Sequence, residues 1–374
     1  MSQKLRDSCA ILARFFKTWY NIYMFKPNYE ITNKIVNLLT NIAESKAVID
    51  RAKLLPKNEL KLRRQALIRM SHSSTAIEGN MLNTQQVEAI IAKKKIDAPT
   101  RDVLEVQNYL KALKFIGQLV EKKQQISEKN ILKIHNLVTA GTLPDVQSGH
   151  YRKGPIYVVR RKIGWPDEIM YTGPAAEKVP SLMYNLTQWI QESTIKNIHP
   201  VIVAGVVHQE IAAIHPFNDG NGRTARALAT LILYQQGYDF RRLFALEDYY
   251  NKARHKYYAA INIGKNYEQR KVDFTPWLEY FIKGFKEEID NVKEKIASLS
   301  LKKVSKDIQS QIYLNKDQLE ILIFLDQVGK ITTQDVVQIL NCPKRTAQLL
   351  LQKLKKLGTI EQVGKGPASS YILT

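Results

Sequence analysis

Residues 199–214, HPVIVAGVVHQEIAAI, are apolar on nearly every side of the helix that they would form. Such a helix has no face suited to water, so other helices must surround it. The sequence supplies those neighbours, because apolar residues recur at spacings of three and four through most of the chain from about residue 30 to 300. The pattern predicts a mainly α-helical bundle in which 199–214 is the central helix.

Composition limits the classes of protein to which this chain can belong. It has 374 residues, of which 44% are hydrophobic, so it can bury a sizeable core and is not mainly disordered. That length favours two or three folded units. Lys and Arg number 56 against 35 Asp and Glu, and the net charge of +21 favours a polyanionic partner such as nucleic acid, nucleotide or phosphate. A basic but otherwise ordinary soluble protein is the alternative.

The N-terminal residues and the cysteines bear on location. Residues 1–24 form an N-terminal extension whose apolar stretch is interrupted by basic residues, so it matches neither a signal peptide nor a membrane span. It is either a short amphipathic helix or lies upstream of a true start at Met24. Cys9 and Cys342 are too few for a disulfide framework and lack zinc-site spacing. We expect a cytoplasmic protein that does not bind membranes.

The helical pattern breaks at residues 149–174. A β-branched run, IYVV, and a second apolar run, EIMYT, flank a Gly-Trp-Pro-Asp turn, which predicts a β-hairpin at about 155–173. A lone hairpin in a helical domain buries little surface of its own. It is therefore either a flap over a site or an ordinary surface excursion.

Residues 315–374 form a separate unit in this interpretation, after a charged linker at 296–314. Three helical stretches followed by two short strands around Gly-Lys-Gly-Pro predict a winged helix-turn-helix domain. Such units bind DNA, but they also serve in dimerisation or protein docking, so a homodimer stays open. The third helix would present Lys344, Arg345 and Gln348 to a DNA groove and would turn Leu349, Leu350, Leu354 and Leu357 inward.

The segment IHPFNDGNGRTAR, residues 214–226, ends one helix and begins another. Arg223 and Arg226 stand on the first turn of the second helix, where the helix dipole already leaves positive charge and Asp or Glu is favoured. Gly220 and Gly222 let a ligand approach the backbone, and the N–H groups of a helix start bind phosphate oxygens. A polyphosphate site resolves the conflict, because the two arginines can bind further oxygens.

Other side chains of this segment also suit phosphate chemistry. Asp219 can hold a Mg²⁺ ion that bridges phosphates, or it can be an N-cap or turn residue. His215 has a pKa range suited to accepting a proton near neutral pH, so we interpret it as the general base for a hydroxyl that attacks phosphorus. Phe217 is interpreted as a buried peg that fixes the loop, and Asn221 either caps the helix or contacts phosphate.

Two alternative interpretations use the same residues. GNGRTA matches the G-x-G-x-x-A dinucleotide fingerprint, with Asp239 about 20 residues further on, but no alternating strands and helices surround it. A metal-dependent hydrolase is the other alternative, although the spacing of its ligands would match no metal motif. Its candidate ligands are His199, His208, His215 and Asp219.

HPFNDGNGRTAR resembles the signature of the Fic family, His-x-Phe-x-Asp/Glu-Gly-Asn-Gly-Arg-x-x-Arg, at every defining position, and the resemblance extends from about residue 25 to 290. It implies transfer of AMP from ATP to a hydroxyl side chain of a target protein, with His215 as the base and Asp219 as the Mg²⁺ ligand. It also implies an anion hole of Gly220, Asn221 and Gly222, a phosphate contact from Arg223 and a γ-phosphate contact from Arg226.

The same resemblance implies an architecture. The fold would be mainly α, a Fic-type helical bundle with a β-hairpin flap, followed by the winged helix-turn-helix domain. Residues 25–110 would be an N-terminal helical region and 111–295 the catalytic core, and the 155–173 flap would align a target segment by strand pairing. Tyr257 and Tyr258, in YYNKARHKYY, either stack on adenine or pack in the core.

SSTAIEGN, residues 73–80, resembles the family's inhibitory motif, Ser/Thr-x-x-x-Glu-Gly/Asn, with Ser74, Glu78 and Gly79 at the defining positions. The resemblance implies that Glu78 pairs with Arg226 and blocks the productive γ-phosphate position. We therefore expect an autoinhibited adenylyltransferase; in some members of the family the same glutamate supports removal of AMP. The second hypothesis is a DNA-binding regulator whose Fic unit senses nucleotide.

Overall fold

The computed structural model describes residues 25–52, 54, 56–160, 168–262, 264–270, 272–301, 314–364 and 369–373. The predicted N-terminal extension and the Gly-Trp-Pro-Asp turn lie outside these residues. Helices make up most of the described chain, as the periodicity predicted. The helices of the larger unit are α1 (Asn33–Arg51), α2 (Pro56–Ile77), α3 (Thr84–Ile91), α4 (Thr100–Glu121), α5 (Glu128–Thr139), α6 (Val179–Ile195), α7 (Pro200–Ile214), α8 (Asn221–Gln235), α9 (Leu246–Lys252), α10 (Arg254–Ile261) and α11 (Thr275–Leu301).

The central position predicted for the apolar helix is confirmed. Nearly every residue of α7 is buried, and α7 packs against α6, α8 and α11. Gly205 allows one of these contacts, because a Cβ there would meet Leu278 Cδ2 at 2.7 Å. At the same point Trp277 Nε1 donates a hydrogen bond to the Gly205 carbonyl at 2.7 Å. These contacts hold α7 close against α11 at Gly205.

The prediction of a linker beginning at residue 296 is wrong. Helix α11 continues to Leu301, and Ile296 is buried in the main core. The linker was predicted because aromatic residues are absent after about residue 290. Aliphatic residues nevertheless continue the buried stripe of the helix through Val292 and Ile296. Residues 302–313 lie outside the described part of the chain.

The predicted hairpin is present as β1 (Tyr157–Arg160) and β2 (Glu168–Thr172), paired antiparallel with a bulge between Val158 and Val159. Its base is joined to the body, because Thr172 N donates to the Lys265 carbonyl at 2.9 Å and Tyr267 N donates to the Thr172 carbonyl at 3.0 Å. The Tyr171 hydroxyl donates to the carbonyl of Ala213, near the end of α7, at 2.8 Å. The hairpin therefore begins beside the segment that carries His215.

The C-terminal unit has its own hydrophobic core. Its strands form an antiparallel sheet in which β5 (Ser370–Leu373) lies between β3 (Ile331–Thr332) and β4 (Ile360–Val363), and the short β3 was not predicted. Asn315 and Thr332 each form a capping box that begins a helix. The elements are α12 (Lys316–Val328), β3 (Ile331–Thr332), α13 (Thr333–Leu340), α14 (Lys344–Lys356), β4 (Ile360–Val363) and β5 (Ser370–Leu373).

Helix α14 shows that one inward assignment was wrong. Leu349 is 56% exposed, whereas Leu351, which was not assigned inward, is fully buried. The helix begins at Lys344, and this start places Ala347, Leu350, Leu351 and Leu354 on the core face. Leu357 follows the helix and is half-buried. The predicted groove residues Lys344, Arg345 and Gln348 are exposed.

The C-terminal unit contacts helix α2. Leu60 packs against the C-terminal core, and Arg64 Nη1 lies 3.4 Å from Asp326 Oδ2 of α12. Within the described part of the chain, no helix combines the length and apolar character needed to cross a membrane.

Candidate functional site

The loop between α7 and α8 carries most of the predicted site residues. His215 caps the C-terminus of α7 in the left-handed conformation (φ 49°, ψ 59°), and Gly220 adopts this conformation again (φ 76°) just before α8. Two such residues turn the chain sharply at both ends of the loop. Gly220 is also required sterically, because a Cβ there would meet Thr139 Cγ2 at 2.6 Å. The loop therefore places the N-terminus of α8 next to the end of α7.

Asn221 and Phe217 fix the interior of this loop. Asn221 Oδ1 accepts a hydrogen bond from Phe217 N at 2.9 Å, and Asn221 Nδ2 donates to the Phe217 carbonyl at 2.8 Å. The Asn221 side chain is therefore neither a helix cap nor aimed at a phosphate, and only its backbone N–H remains for an anion. Phe217 is fully buried, which confirms its role as a peg.

His135 of α5 supports the loop through hydrogen bonds, and no sequence pattern predicted this role. Its Nδ1 accepts a hydrogen bond from Gly149 N at 2.9 Å, so Nε2 carries the proton that it donates to the Asp219 carbonyl at 3.0 Å. Its ring stacks on Phe217 with centroids 3.7 Å apart. Burial lowers the pKa of His135 to about 4, so the ring is neutral at pH 7. No motif marks His135, because its partners are backbone atoms.

Asp219 presents a carboxylate at the surface of the loop. Its side chain is 36% exposed, with Oδ1 3.2 Å from Arg223 Nη2 and Oδ2 3.3 Å from Arg101 Nη2. The predicted N-cap role is taken by Gly220, the residue before α8. One accessible carboxylate beside an anion site suits Mg²⁺, which usually keeps waters and substrate phosphates as its other ligands. Among the described residues, no group of three or more His, Cys, Asp and Glu side chains forms a metal cage.

Arg223 points into the protein interior and contacts carboxylates. It is 1% exposed, with Nη1 3.4 Å from Glu105 Oε1 and Nη2 3.2 Å from Asp219 Oδ1. The phosphate contact expected of Arg223 stays a prediction. Its guanidinium orients Asp219. Glu105, which anchors Arg223, was not identified from the sequence.

Helix α2 is anchored along its length before it reaches the loop. Arg69 Nη1 lies 3.0 Å from Glu288 Oε2 and 3.4 Å from Asp248 Oδ2, and the Ser73 hydroxyl is 3.1 Å from Asp248 Oδ1. The helix ends at Ile77, and Gly79 takes a positive φ of 98°. These contacts fix where the end of α2, with Ser74 and Glu78, lies relative to α8.

The structure brings Glu78 and Arg226 together. Arg226 Nη2 lies 2.7 Å from Glu78 Oε1 and donates to the Ser74 carbonyl at 2.8 Å, and Arg226 Nε donates to the Ser74 hydroxyl at 3.0 Å. Arg226 is 2% exposed. Burial acts to lower its pKa, but Glu78, Tyr257 and Tyr109 more than offset this effect, so the pKa is raised and Arg226 stays charged.

Gly222 lets the Glu78 carboxylate lie directly against the first turn of α8. A Cβ at residue 222 would overlap Glu78 Oε1 and would meet Arg226 Nη1 at 3.0 Å. The N–H groups of a first helical turn have no acceptor within the helix. The Glu78 carboxylate therefore occupies part of the anion site predicted for phosphate, and it supplies negative charge where the helix dipole favours it.

His215 has the geometry of a general base. Its Nδ1 is 3.2 Å from the Ala212 carbonyl and must donate to it, which leaves the Nε2 lone pair to accept a proton. Burial lowers the pKa of His215, while the Ala212 carbonyl and the Glu78 carboxylate act in the opposite direction. The ring is therefore mostly neutral at pH 7, which is the form that a base requires.

Of the two roles predicted for Tyr257, core packing is confirmed, and its enclosed ring leaves no face for adenine stacking. Tyr257 is 3% exposed, stacks on Tyr250 at 4.7 Å and shares a 3.0 Å hydrogen bond with His208. Tyr258 is 49% exposed and donates its hydroxyl hydrogen to the Ile77 carbonyl at 2.9 Å. Of the two tyrosines, only Tyr258 has surface available to a nucleoside.

The two alternative interpretations do not fit this geometry. The GNGRTA segment follows helix α7 rather than a strand, so the dinucleotide fingerprint lacks its βαβ context. His199 accepts from Val201 N at the start of α7, whereas His208 lies in the aromatic core beside Tyr257 and Trp277. Neither histidine is available to the loop as a metal ligand.

Comparison with known proteins agrees with the signature. Residues 125–233 match the family model described as Fic/DOC family. Proteins named protein adenylyltransferase Fic from Nematostella vectensis and Drosophila erecta are 28% identical over 243 residues and 29% identical over 202 residues. These matches cover 63% and 54% of this chain but 52% and 37% of the relatives, so the chain spans about half or less of their length.

Solved structures match more of the chain. A Fic family protein from Desulfovibrio desulfuricans G20 is 26% identical with a TM-score of 0.61, and the match covers 94% of this chain and 98% of that one. Fic-1 (residues 134–508) from C. elegans is 21% identical with a TM-score of 0.56 over 79% of this chain and 78% of that one. The chain is thus similar to the Fic/DOC family over residues 125–233, and its mainly helical fold is similar to that of solved Fic proteins.

Proposed function

We propose that this chain is an autoinhibited protein adenylyltransferase, which transfers AMP from ATP to a Ser, Thr or Tyr hydroxyl of a target protein and releases pyrophosphate. The observation that carries the proposal is the Glu78–Arg226 pair at the N-terminus of α8, at 2.7 Å. A buried arginine at a helix start needs an anion, and Glu78 is an internal substitute for phosphate. The match to the Fic/DOC family and the adenylyltransferase relatives support the choice of reaction.

His215 and the start of α8 would carry the chemistry. His215 Nε2 would take the proton of the target hydroxyl while the hydroxyl oxygen bonds to the α-phosphorus. The bond between the α-phosphorus and the oxygen that bridges it to the β-phosphorus would break, and pyrophosphate would leave. Of the predicted anion hole, the backbone N–H groups of Asn221 and Gly222 would bind phosphate oxygens, whereas Gly220 N donates to Asp219 Oδ1. The N–H group of Arg223 would take its place, so negative charge would be stabilised by groups already in position. Nucleotidyl transfer depends mainly on such positioning and charge stabilisation.

Asp219 would hold Mg²⁺. Its exposed carboxylate is the hard oxygen ligand required, and Arg223 and Arg101 keep it oriented. The bound ion would neutralise charge on the phosphates and on the departing pyrophosphate.

Autoinhibition follows from competition for Arg226. The γ-phosphate of productively bound ATP needs the Arg226 guanidinium, which Glu78 and Ser74 occupy. Glu78 also fills space over Gly222 and repels an incoming phosphate. ATP therefore binds productively only when Glu78 leaves Arg226. The relative affinities of the Glu78 carboxylate and the γ-phosphate for the Arg226 guanidinium set the basal rate.

The β1–β2 hairpin, residues 155–173, would dock the target as a flap. Among the described residues β1 pairs with β2, while the base of β2 is bonded to residues 265–267, so the outer edge of β1 is available. Tyr157, Val158 and Val159 on β1 are exposed at 49%, 39% and 39%. An extended target segment added to this edge would gain main-chain hydrogen bonds and apolar contacts, and the flap would lead it towards His215.

The test is AMP transfer from ATP labelled on the α-phosphate. We expect faint labelling by the native chain, labelling increased roughly tenfold or more in Glu78→Gly, and none above background in Glu78→Gly combined with His215→Ala. Glu44→Gly, the same change at an exposed helical position, should behave as the native chain. ATP labelled on the γ-phosphate should give no labelled protein. Absence of α-label transfer from both the native chain and Glu78→Gly would overturn the proposal.

A second function, DNA binding, is supported by the C-terminal unit. Its elements follow in the order helix, strand, two helices and two strands, which is expected of a winged helix-turn-helix, and α14 presents exposed Lys344, Arg345 and Gln348. We propose that this face contacts DNA. Affinity for duplex DNA should fall with salt, and Lys344→Ala with Arg345→Ala should lower both the affinity and the salt slope. Equal DNA binding by this variant and the native chain would exclude α14 as the contact surface.

A further inference from the structure

Arg152 is a buried arginine that lies between the flap and the catalytic loop. It is 2% exposed and follows the Gly149 turn after α5. Its described side-chain hydrogen bonds all end on backbone carbonyls. A buried charge that binds carbonyls from several segments holds those segments in fixed relative positions.

Two of these carbonyls belong to the end of α7. Arg152 Nε donates to the His215 carbonyl at 2.9 Å, and Nη2 lies 3.4 Å from the Ile214 carbonyl. The Arg152 backbone N–H donates to the Pro216 carbonyl at 2.9 Å. The last carbonyls of a helix receive no hydrogen bond from within the helix, and the helix dipole favours a cation beside them.

The contact also concerns the backbone conformation of His215. A non-glycine residue in the left-handed region is strained and persists only where its surroundings hold it. The hydrogen bond from Arg152 to the His215 carbonyl helps to hold this conformation (φ 49°). The direction of the imidazole depends on that backbone.

The other two carbonyls belong to the two arms of the flap. Arg152 Nη1 donates to the Gly154 carbonyl, before β1, at 2.7 Å, and Nη2 donates to the Pro174 carbonyl, after β2, at 2.6 Å. Gly173 gives the guanidinium room, because a Cβ at that position would lie 3.2 Å from Arg152 Nη2 and 2.5 Å from Ile156 Cγ2. One side chain therefore ties both arms of the flap to the residue proposed as the base.

We propose that Arg152 is a positioning residue that fixes the flap relative to His215, so that a hydroxyl on a flap-bound segment lies within reach of the His215 imidazole. This inference rests on the proposed adenylyltransferase function. Arg152 itself contacts neither the loop N–H groups nor Arg226 among the described residues, so its role is separate from nucleotide binding. A lysine cannot replace it, because one ammonium group cannot reach four carbonyls in different directions.

The experiment compares Arg152→Lys and Arg152→Ala in the Glu78→Gly background. The readouts are the rate of self-labelling against ATP concentration and the Kd of a non-hydrolysable ATP analogue. We expect the maximal rate to fall at least about tenfold in both variants, while the KM for ATP and the analogue Kd change less than about twofold. Millimolar guanidinium should restore part of the rate of Arg152→Ala and none of the rate of His215→Ala.

Several outcomes would overturn this role for Arg152. They are an unchanged maximal rate in either variant, a rate loss matched by a weaker analogue Kd, or full activity of Arg152→Lys. If Arg152→Ala does not fold, Arg152→Lys tests the same contacts with a smaller change, and it should show the selective rate loss. Failure of the Glu78→Gly parent to transfer AMP would count against the proposed function instead.

Discussion

Glu78 Oε1 accepts a hydrogen bond from Arg226 Nη2 at 2.7 Å, although the two residues are 148 positions apart in the chain. The pair explains how a helix can begin with a buried arginine when local preferences favour an acid there. The acid comes from α2, and Gly222 leaves room for it against the first turn of α8. Under the proposed function, Arg226 binds phosphate in the active state and Glu78 in the resting state.

The charge of Glu78 should matter more than its volume. Glu78→Gln keeps the size of the side chain and an oxygen that can accept from Arg226, but it removes the negative charge. We expect AMP transfer by Glu78→Gln to exceed that of the native chain and to stay below that of Glu78→Gly, because a neutral amide is a weaker competitor for Arg226 than a carboxylate. Initial rates at ATP concentrations below the KM measure this order, because saturating ATP would mask differences between competitors. A glutamine variant as slow as the native chain would show that steric blockage alone restrains transfer.

Removing Glu78 should also destabilise the resting protein. The Arg226 guanidinium would keep its Ser74 contacts but lose its counter-ion in a buried site. Because Glu78 itself is 32% exposed, we expect a loss of about 1–3 kcal/mol, below the cost of breaking a fully buried pair. ATP should offset this loss by binding to Arg226, by about 2.7 kcal/mol at 100 times its Kd.

Thermal unfolding with and without ATP checks this expectation. The Tm of Glu78→Gly should lie below that of the native chain without nucleotide and should rise more when ATP is added. Glu44→Gly serves as the control for the effect of glycine in a helix. An equal ATP-induced rise in all three proteins would contradict competition between Glu78 and ATP.

The sequence predicted the parts of this site that depend on local rules. Apolar spacing predicted the central helix, and the glycines with two arginines predicted an anion site at a helix start. It did not predict how side chains share partners across helices. Arg223 turned out to bind Glu105 and Asp219, and Tyr257 turned out to be enclosed by Tyr250 and His208.

His135 and Arg152 were missed for a different reason. Their hydrogen bonds end on backbone groups of Gly149, Asp219, His215 and the flap arms. Any residue type supplies such backbone partners, so no spacing or complementary side chain marks the contact in the sequence. The prediction of the linker boundary was wrong for a similar reason, because Ile296 is buried where helix α11 packs against other helices, α1 among them.

The lowered pKa of His215 predicts the pH dependence of transfer. The base must be neutral, and burial lowers its pKa from the ordinary value of 6.5, so the neutral form persists below that pH. In Glu78→Gly, kcat/KM should therefore be constant near pH 7 and fall to half at a pH below 6.5. Because the Glu78 carboxylate raises the pKa of His215, the native chain should reach its half-point at a higher pH than Glu78→Gly, whereas Glu78→Gln, which also lacks the charge, should resemble Glu78→Gly. A half-point above 6.5 would argue against His215 as a buried neutral base.

Buried His135 should make the stability of the protein depend on pH. Its pKa is about 4 in the folded state and 6.5 in the unfolded chain, so the unfolded state binds more protons between these values. The stability that a neutral His135 contributes is complete above pH 6.5 and is lost as the pH falls towards 4, by up to about 1.4 kcal/mol per pH unit.

Replacement of His135 by Phe tests this contribution. The variant keeps a ring against Phe217 but leaves Gly149 N and the Asp219 carbonyl without their partner, so it should be less stable at pH 7 by about 1–3 kcal/mol. Its free energy of unfolding should depend less on pH between 6.5 and 4 than that of the native chain. His208, whose pKa burial also lowers, remains and keeps part of the slope. His255→Gln, at an exposed position, is the control, and a slope that His135→Phe leaves unchanged would contradict the assignment.

Changes on the exposed face of the flap should affect the protein substrate and spare the nucleotide. Val158 and Val159 lie on the available edge strand, and neither contributes to the anion site at α8. Replacing both with Ser in the Glu78→Gly background removes apolar contact area while leaving main-chain pairing possible. We expect labelling of target proteins in a cell lysate to fall severalfold, with the Kd of a non-hydrolysable ATP analogue unchanged. Val146→Ser, at an exposed position outside the hairpin, is the matched control, and equal labelling by both variants would show that targets dock elsewhere.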